Sequence, residues 1–174
     1  LLAIFLVMII GFGCKAGMMP LQAWLPTAHP VAPAPASAVL SGIITKAGIL
    51  GMIRVTFYLF NPDFLRGTWA QLTIIILALA TVFVGSMLAY KEQLLKKRLA
   101  YSTVSQVSYV IFGIMILTPQ GLSGALLQVI FHAIAKNALF LAAGAIIYKT
   151  GAIYVKDLKG MGKKMPIVMW CFTI

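Results

Sequence analysis

The sequence predicts an all-α, polytopic bundle of transmembrane helices, and both composition and hydrophobic patterning support this prediction. Hydrophobic residues make up 61% of the 174 residues and charged residues only 10%, whereas soluble domains are about one-quarter charged. Apolar runs long enough to span a bilayer alternate with short polar or proline-rich breaks. Together these features exclude a soluble globular domain.

The apolar runs define six predicted segments. They cover residues 1–19, 36–60, 69–90, 99–117 and 122–148, and a sixth begins near residue 165. The chain opens and closes inside apolar runs and has neither a start methionine nor a signal peptide. We therefore expect it to be a piece of a longer polytopic protein.

The loops between these segments alternate in charge. Loops 91–98 and 149–164 fall on one predicted side and carry most of the loop lysines and arginines, whereas loops 61–68 and 118–121 are nearly neutral. Because positively charged loops stay on the inner side, 91–98 and 149–164 are predicted to be cytoplasmic, and we expect a prokaryotic inner membrane. The same loops account for much of the net charge of +11, so no nucleic-acid partner is expected.

The first segment is predicted to be a discontinuous helix. Gly11, Gly13 and Gly17 weaken the helix, and Pro20 removes a backbone donor. Lys15 lies about one turn before this helix break. Transporters use broken helices of this kind at ion sites. An ordinary proline kink is the alternative interpretation.

Three lysines lie deep inside predicted apolar segments: Lys15, Lys46 and Lys136. A charge at mid-membrane costs about 2.5–3.5 kcal/mol on insertion scales, so it is kept where it works or is paired. The three acidic residues of the chain all fall in predicted loops: Asp63, Glu92 and Asp157. Because an ammonium group in a low dielectric releases its proton far more readily than a guanidinium group does, the three lysines are predicted proton carriers.

Two histidines are further candidates for the proton path. His132 lies four residues before Lys136, which places both on one face of the fifth predicted helix, and His titrates near neutral pH. His29 lies near a membrane boundary with no ionisable neighbour in the sequence, and it is a possible relay residue or a loop cap.

Polar residues also form helical stripes on two segments. In the fourth segment, four polar residues share one helix face: Ser102, Ser105, Gln106 and Tyr109. This stripe predicts either hydrogen bonds between helices or a water path that enters from the cytoplasmic side. In the second segment, Ser37, Ser41 and Thr45 lie on one stripe beside Lys46, and helix packing is the favoured interpretation for the two serines.

Motifs for bond-making chemistry are missing from the sequence. It contains no nucleotide-binding glycine loop, paired haem histidines, metal-spaced cysteines or catalytic dyad. Cys14 and Cys171 stand alone in apolar surroundings and are interpreted as small hydrophobic residues. We therefore expect no cofactor and no catalytic reaction in this chain, so that any redox step takes place on another subunit.

Four stretches of the sequence resemble a known family. They are GFGCKAGMMPLQAWLPTAHPVAPAPASAVLSGIITKAGILGMIR, KKRLAYSTVSQVSYV, FHAIAKNALFLAAGAI and KDLKGMGKKMP. The pattern is similar to that of the antiporter-like, proton-translocating membrane subunits of respiratory complex I, membrane-bound hydrogenases and Mrp-type sodium/proton antiporters. The resemblance covers nearly the whole chain.

The resemblance implies specific roles. Lys15 matches the central proton-carrying lysine at the family's broken helix, Lys46 matches the lysine of the next helix, and His132 and Lys136 match later relay positions. The family fold contains two inverted five-helix repeats, so 1–174 would be a partial antiporter-like domain. The resemblance further implies that the glutamate partner of the first lysine precedes residue 1 and that the exit residue follows residue 174.

By this resemblance, residues 1–60 would end the first repeat, with its broken helix, and residues 69–174 would form most of the second repeat. The favoured function is proton translocation in a redox-driven, complex I-like or hydrogenase complex, with other membrane subunits and the lipid bilayer as partners. One alternative is an Mrp-type sodium/proton antiporter subunit without a redox partner. The other is a structural scaffold whose lysines are held by neighbouring groups.

Overall fold

The computed structural model describes residues 1–173, and its regular elements are helices. Only Ile174, at the end of the sixth predicted segment, lies outside the described residues. The helices in chain order are α1 (Leu2–Ala16), α2 (Trp24–Val31), α3 (Ala34–Leu59), α4 (Pro62–Leu65), α5 (Trp69–Lys91), α6 (Leu95–Met115), α7 (Pro119–Thr150), α8 (Met161–Lys164) and α9 (Pro166–Thr173). A 3₁₀ turn covers Val155–Leu158.

Side-chain caps and glycine fix the ends of the long helices. Thr68 precedes α5 and accepts a hydrogen bond from the amide of Gln71, and Thr118 precedes α7 and accepts one from the amide of Gly121. Both threonines satisfy amides that the first helical turn leaves unpaired. At the other end of α7, Gly151 adopts a left-handed conformation with φ 70°, which glycine tolerates without steric cost. The polar breaks between the predicted segments therefore act as helix caps.

The long helices run back and forth between two ends of the bundle. At one end, loops 91–98 and 149–164 are joined by an isolated antiparallel bridge between Leu94 and Tyr154. At the opposite end, Arg66 donates to the carbonyl of Leu117 at 2.8 Å. The two strongly basic loops thus share one end, as the alternation of loop charge predicts.

The expected discontinuous helix consists of α1 and α2. Helix α1 ends at Ala16, and α2 begins at Trp24. Gly17 ends α1 in a left-handed conformation with φ 91°, and the amides of Gly17 and Met18 both donate to the carbonyl of Gly13 at 2.8 Å. This is a Schellman-type ending. The expectation that the helix extends to about residue 19 is wrong, because Gly17 ends it three residues before Pro20.

Two hydrogen bonds hold the break between α1 and α2. The indole Nε1 of Trp24 donates to the carbonyl of Cys14 at 2.8 Å, across the break. The amide of Met19 donates to the hydroxyl of Thr81 on α5 at 3.1 Å. Pro20 lies inside the break, where its missing amide leaves no helical hydrogen bond unmade. The broken segment is therefore fixed to both its own second half and a neighbouring helix.

Burial divides the helices into outer and inner ones. Helices α3, α5 and α7 are long and apolar enough to cross a membrane, and their outward faces carry large apolar side chains such as Phe83 and Phe131 (68% and 64% exposed). Helix α6 is more polar and lies inside, packed between α5 and α7. Its buried residues include Thr103 and Ser108. Such an outward apolar surface with polar groups inside is typical of a membrane bundle.

Helix α1 packs against α3 through a close backbone approach at Gly48. A Cβ atom at Gly48 would lie 2.6 Å from the carbonyl oxygen of Phe12 and 2.9 Å from the amide nitrogen of Ala16. Gly48 lies near the middle of α3, so α1 ends about halfway along that helix. The break between α1 and α2 is therefore level with the centre of the bundle.

Replacing Gly48 with Ala is expected to destabilise the protein by about 1–3 kcal/mol, because backbone atoms on α1 cannot move aside cheaply. The matched control is Gly11→Ala, since nothing lies within 4 Å of a Cβ at Gly11 and Ala favours helix. Thermal unfolding of the detergent-solubilised protein should show a lower midpoint for Gly48→Ala alone. Equal midpoints for the two variants would contradict this packing.

Candidate functional site

Lys46 lies in the middle of α3, beside a π-type turn at Leu40–Ile44. Its side chain is buried, with 6% of the residue exposed, and its Nζ donates to the carbonyl of Ser41. The hydroxyl of Thr45 donates to the same carbonyl at 3.0 Å. Single π-type turns within α-helices are frequent at functional sites. Here the turn aligns the ammonium group of Lys46 with an inward-facing carbonyl.

Lys136 lies near the middle of α7 and points at α6. The residue is 4% exposed. Its Nζ donates to the hydroxyl of Ser102 at 2.9 Å and to the carbonyl of Leu99 at 3.3 Å. Both acceptors are neutral, so the ammonium group is held by dipoles alone.

A short polar chain connects the surroundings of the two lysines. The hydroxyls of Ser41 on α3 and Thr103 on α6 lie 2.7 Å apart, and Thr103 in turn donates to the carbonyl of Leu99 at 3.0 Å. That carbonyl is also an acceptor for Lys136. Lys46 and Lys136 lie close enough for their charges to interact. The structure therefore brings these two sequence-predicted residues together, across α3, α6 and α7.

Carboxylates do not reach this cluster within residues 1–173. The ion pairs of the described chain join Arg66 to Asp63 at 3.8 Å and Lys97 to Glu92 at 3.0 Å, both at the ends of the bundle. The pKa of Glu92 lies below its ordinary value, because burial, which raises it, is outweighed by the hydrogen bond from Lys97 and by backbone amides. The acidic residues are thus engaged away from the buried lysines.

His132 completes the cluster. It is buried on α7, and neither ring nitrogen has a hydrogen-bond partner within the described chain. Lys46 and Lys136 are both close enough to His132 for their charges to act on the ring. Buried imidazole nitrogens normally have partners, so both nitrogens of this ring remain able to form a hydrogen bond.

His29 lies closer to the cluster than its isolated position in the sequence suggests. Its ring stacks on Phe140 of α7, with centroids 4.6 Å apart and planes at 15°, and both ring nitrogens are buried without a partner in the described residues. Lys96 and Lys136 lie close enough for their charges to act on it. These neighbours come from α6 and α7, so no local sequence signal could have revealed them.

Three residues of the polar stripe of α6 form hydrogen bonds to neighbouring helices. Ser105 bonds to Ser86 at 2.9 Å, and Gln106 accepts from Gln128 at 2.6 Å, so both form hydrogen bonds between helices. Ser102 instead bonds to Lys136. Tyr109 is 47% exposed.

All four stripe residues also line a groove of about 550 Å³. The groove contains Arg98 and Leu158, which lie near the end of the bundle where the two basic loops meet. It extends along α6 to Ser102, the hydroxyl that bonds to Lys136. A second groove of about 570 Å³ runs between α6 and α7 and shares Gln106 and Tyr109 with the first. The first groove therefore reaches the hydroxyl that bonds to Lys136, although Lys136 itself does not line it.

Lys15 is not part of the cluster. It lies in the last turn of α1, close to the helix break, and its side chain is exposed on the outside of the described bundle. No hydrogen bond or ion pair to its side chain is formed within residues 1–173. The structure thus joins Lys46, Lys136 and His132 and leaves Lys15 apart.

Sequence reasoning missed Thr103, the partner of Ser41 on α6. Both lie in runs of small polar residues, and for Ser41 simple helix packing was the favoured interpretation. Their 2.7 Å contact crosses from α3 to α6. The sequence places Ser41 on the polar stripe of the second segment and Thr103 directly after Ser102 on the stripe of the fourth. Cys14 and Cys171 are both free, and no cluster of three metal-ligating side chains occurs in the part of the chain that the structure describes.

Comparison with known proteins identifies the family. The whole sequence, residues 1–174, matches the family described as NADH:quinone oxidoreductase/Mrp antiporter, transmembrane. The chain belongs to this family. It is an integral membrane protein with the all-helical, antiporter-like fold expected from its sequence.

Curated relatives of this family member include subunits of hydrogenases and quinone oxidoreductases. Hydrogenase-4 component B of Escherichia coli is 39% identical over 94% of the chain and 26% of the relative. NAD(P)H-quinone oxidoreductase chain 4 1 of Synechococcus elongatus is 35% identical over 95% of the chain and 31% of the relative. The chain therefore spans between a quarter and a third of the length of these two relatives.

Solved structures share the fold. The Mrp complex from Dietzia sp. DQ12-45-1b contains a chain that superposes with a TM-score of 0.88 and 30% identity, covering 95% of this chain and 30% of that one. An archaeal membrane-bound sulfane sulfur reductase gives a TM-score of 0.84 with 27% identity, over 97% of this chain and 34% of that one. The antiporter-like fold inferred from the sequence is thereby confirmed.

Removing the hydroxyl that holds Lys136 is expected to reveal whether the ammonium group is charged in the resting protein. Ser102→Ala should destabilise the protein by about 1.5–3 kcal/mol, the usual contribution of a hydrogen bond to a charged group. In a Lys136→Met background the same replacement should have almost no effect, because no charge is left to satisfy. Thermal unfolding midpoints of the four proteins in detergent form a double-mutant cycle. Equal effects of Ser102→Ala in both backgrounds would contradict a charged Lys136.

Proposed function

We propose that this chain carries part of a proton path across the membrane, with Lys46, His132 and Lys136 as its relay. The observation that carries this proposal is a pair of buried ammonium groups. Neutral oxygens hold both groups, and neither forms an ion pair with a carboxylate of the described chain. A permanently charged group in such a position is a cost with no structural return. A lysine that binds and releases protons has a functional reason to lie in such a position despite this cost.

Electrostatic repulsion between the two lysines couples their protonation states. Two ammonium groups near each other in a low dielectric disfavour being charged at the same time. A proton that arrives at one lysine therefore promotes release from the other. His132 lies close to both lysines, and an imidazole ring can accept a proton at one nitrogen and give one up at the other. His29 is a candidate side branch, since it lies near Lys136 and Lys96.

The groove along α6 is the proposed entry to this relay. It starts near the basic loops 91–98 and 149–164, which under the positive-inside rule lie in the cytoplasm. Its lining includes Ser102, which bonds to Lys136. Water in such a groove would bring protons to the middle of α7. Ser105, Gln106 and Tyr109 would form hydrogen bonds to that water. Ser105 and Gln106 also bond to neighbouring helices.

Lys15 has a separate place in the proposal. It lies at the end of a broken helix, level with the centre of the bundle, and its side chain faces away from the described helices. Side chains at helix breaks in transporters act at ion sites. We propose that Lys15 is the carrier that precedes Lys46 and that its partner is a carboxylate outside the described residues.

A multi-subunit, redox-driven assembly in a prokaryotic inner membrane is the proposed setting. Curated relatives named as hydrogenase and quinone oxidoreductase subunits support it. In this setting other membrane subunits surround the chain, the redox reaction takes place on those partners, and this chain holds no cofactor. Residues 1–60 would end the first inverted repeat of the whole subunit, and residues 69–174 would form most of the second.

An Mrp-type sodium/proton antiporter is the second candidate, because a chain of an Mrp complex shares the fold. The two candidates differ in what drives proton movement. A redox-driven complex moves protons when an electron donor is supplied, whereas an antiporter moves them when a sodium gradient is imposed. A structural scaffold, the third possibility, moves none.

Replacing either relay lysine with methionine should abolish proton translocation, because methionine keeps most of the volume and loses the titrating group. The assay is the initial rate of proton uptake by vesicles that contain the complete assembly, with electron donor or with a sodium gradient. Arg54→Gln is the matched control, since Arg54 is an exposed cation on α3, and it should leave the rate unchanged. Proton uptake at the wild-type rate after replacement of both Lys46 and Lys136 would contradict the proposal.

Replacing Lys15 with Ala should also stop translocation while leaving assembly intact. Because the side chain is exposed and forms no bond within residues 1–173, its loss removes no internal contact. Subunit content on native gels and the vesicle rate are measured together. Normal assembly with normal translocation would refute the assigned role, and Lys149→Ala, at another exposed lysine, serves as the comparison.

A further inference from the structure

Asn137 directly follows Lys136 on α7, and it packs against the backbone of α3. Its contact is Gly42, inside the π-type turn at Leu40–Ile44. A Cβ atom at Gly42 would lie 2.2 Å from the Oδ1 atom of Asn137. The carboxamide therefore occupies the space that a side chain at Gly42 would take, between the helix of Lys46 and the helix of Lys136.

The carboxamide oxygen of Asn137 is buried and has no hydrogen-bond partner in the described chain. Buried polar oxygens nearly always accept a hydrogen bond from protein or from ordered water. Gly42 directly follows Ser41, whose carbonyl is bonded to Lys46, and Asn137 directly follows Lys136, so the amide lies next in sequence to one relay lysine and packs beside the turn that holds the other. A buried amide at this contact has no packing advantage over an apolar residue of similar size.

We propose that Asn137 is a positioning residue of the lysine relay. Its carboxamide oxygen accepts a hydrogen bond from a water molecule that passes protons between Lys46 and Lys136, and Gly42 leaves the space in which the amide sits. This inference rests on the proposed function. A neutral amide suits the position because it orients the donor without taking the proton itself, whereas a carboxylate would hold the proton.

The chain offers a matched control for this contact. Gly144, also on α7, faces Ala34 of α3, and a Cβ there would lie 2.2 Å from the Cβ of Ala34. Alanine at Gly144 would thus crowd the same two helices at least as strongly, with only apolar atoms involved. Gly42→Ala displaces a polar amide that can rotate, whereas Gly144→Ala meets a Cβ atom fixed to the backbone and pushes the helices apart.

The experiment measures proton translocation against pH in vesicles that contain the complete assembly. The proteins are wild type, Gly42→Ala, Gly144→Ala, Asn137→Leu, Asn137→Asp and the double variant Gly42→Ala/Asn137→Leu. Rates are normalised to the amount of assembled complex. The Asn137 variants change a single side chain and keep its number of heavy atoms, so they decide the question even if Gly42→Ala does not assemble.

Asn137→Leu and Gly42→Ala should each lower the rate by about tenfold or more, as expected when a relay partner is misplaced by about 1 Å. The double variant should be at least as slow as Asn137→Leu, because leucine keeps a Cγ atom in the space that a Cβ at Gly42 would take. Gly144→Ala should keep the wild-type rate and pH profile. Asn137→Asp should move the alkaline limb of the profile to higher pH, because a carboxylate between two ammonium groups retains their protons.

Wild-type rates and pH profiles for Asn137→Leu and Asn137→Asp would overturn the proposal. An equal loss of rate in Gly144→Ala and Gly42→Ala would overturn it as well, since helix crowding would then explain both. The proposed function fails separately, when the methionine variants of Lys46 and Lys136 translocate protons normally. Inactive lysine variants combined with active Asn137 variants would refute the role of Asn137 alone.

Discussion

Two buried ammonium groups that depend on neutral oxygens are the constraint around which this bundle is arranged. Lys46 bonds to the carbonyl of Ser41, and Lys136 bonds to the hydroxyl of Ser102 and the carbonyl of Leu99. Because no carboxylate of the described chain is within reach, the helices must place each of these oxygens next to its lysine. The π-type turn in α3 and the inward position of the polar helix α6 both meet this requirement.

The same requirement explains why polar helix faces meet inside the bundle. Helix α6 would be costly against lipid, because its stripe of hydroxyl and amide groups would lose water without gaining partners. Between α5 and α7 these groups bond to other side chains, as Ser105 does to Ser86 and Gln106 does to Gln128. The stripe thereby stabilises the bundle and at the same time lines the groove that reaches Lys136. One set of residues serves both packing and the proposed path.

The helix break places a third lysine, Lys15, at about the same depth as the other two. Gly17 ends α1 near the level of Gly48, and the hydrogen bonds from Trp24 and Met19 hold the break to α2 and α5. Fixing the break in this way sets the position of Lys15 without burying its side chain. Lys15 therefore differs from the other two lysines: its depth is determined by this chain, whereas its side chain forms no hydrogen bond or ion pair within the described residues.

The sequence alone determined the helical fold, the spanning segments, the alternation of the loops and the mid-membrane position of Lys46 and Lys136, because these depend on local hydrophobicity and on 3.6-residue periodicity. It did not determine that Gly17 ends α1. A helix that ends at a left-handed glycine and a helix that is interrupted at Pro20 would break at nearly the same place in the sequence. Only the tertiary structure decided which polar groups meet. The contacts of Ser41 with Thr103, of His29 with Phe140 and of Gly42 with Asn137 join residues far apart in the chain. Such contacts depend on how the helices are rotated and how closely they approach, and no local pattern encodes either quantity.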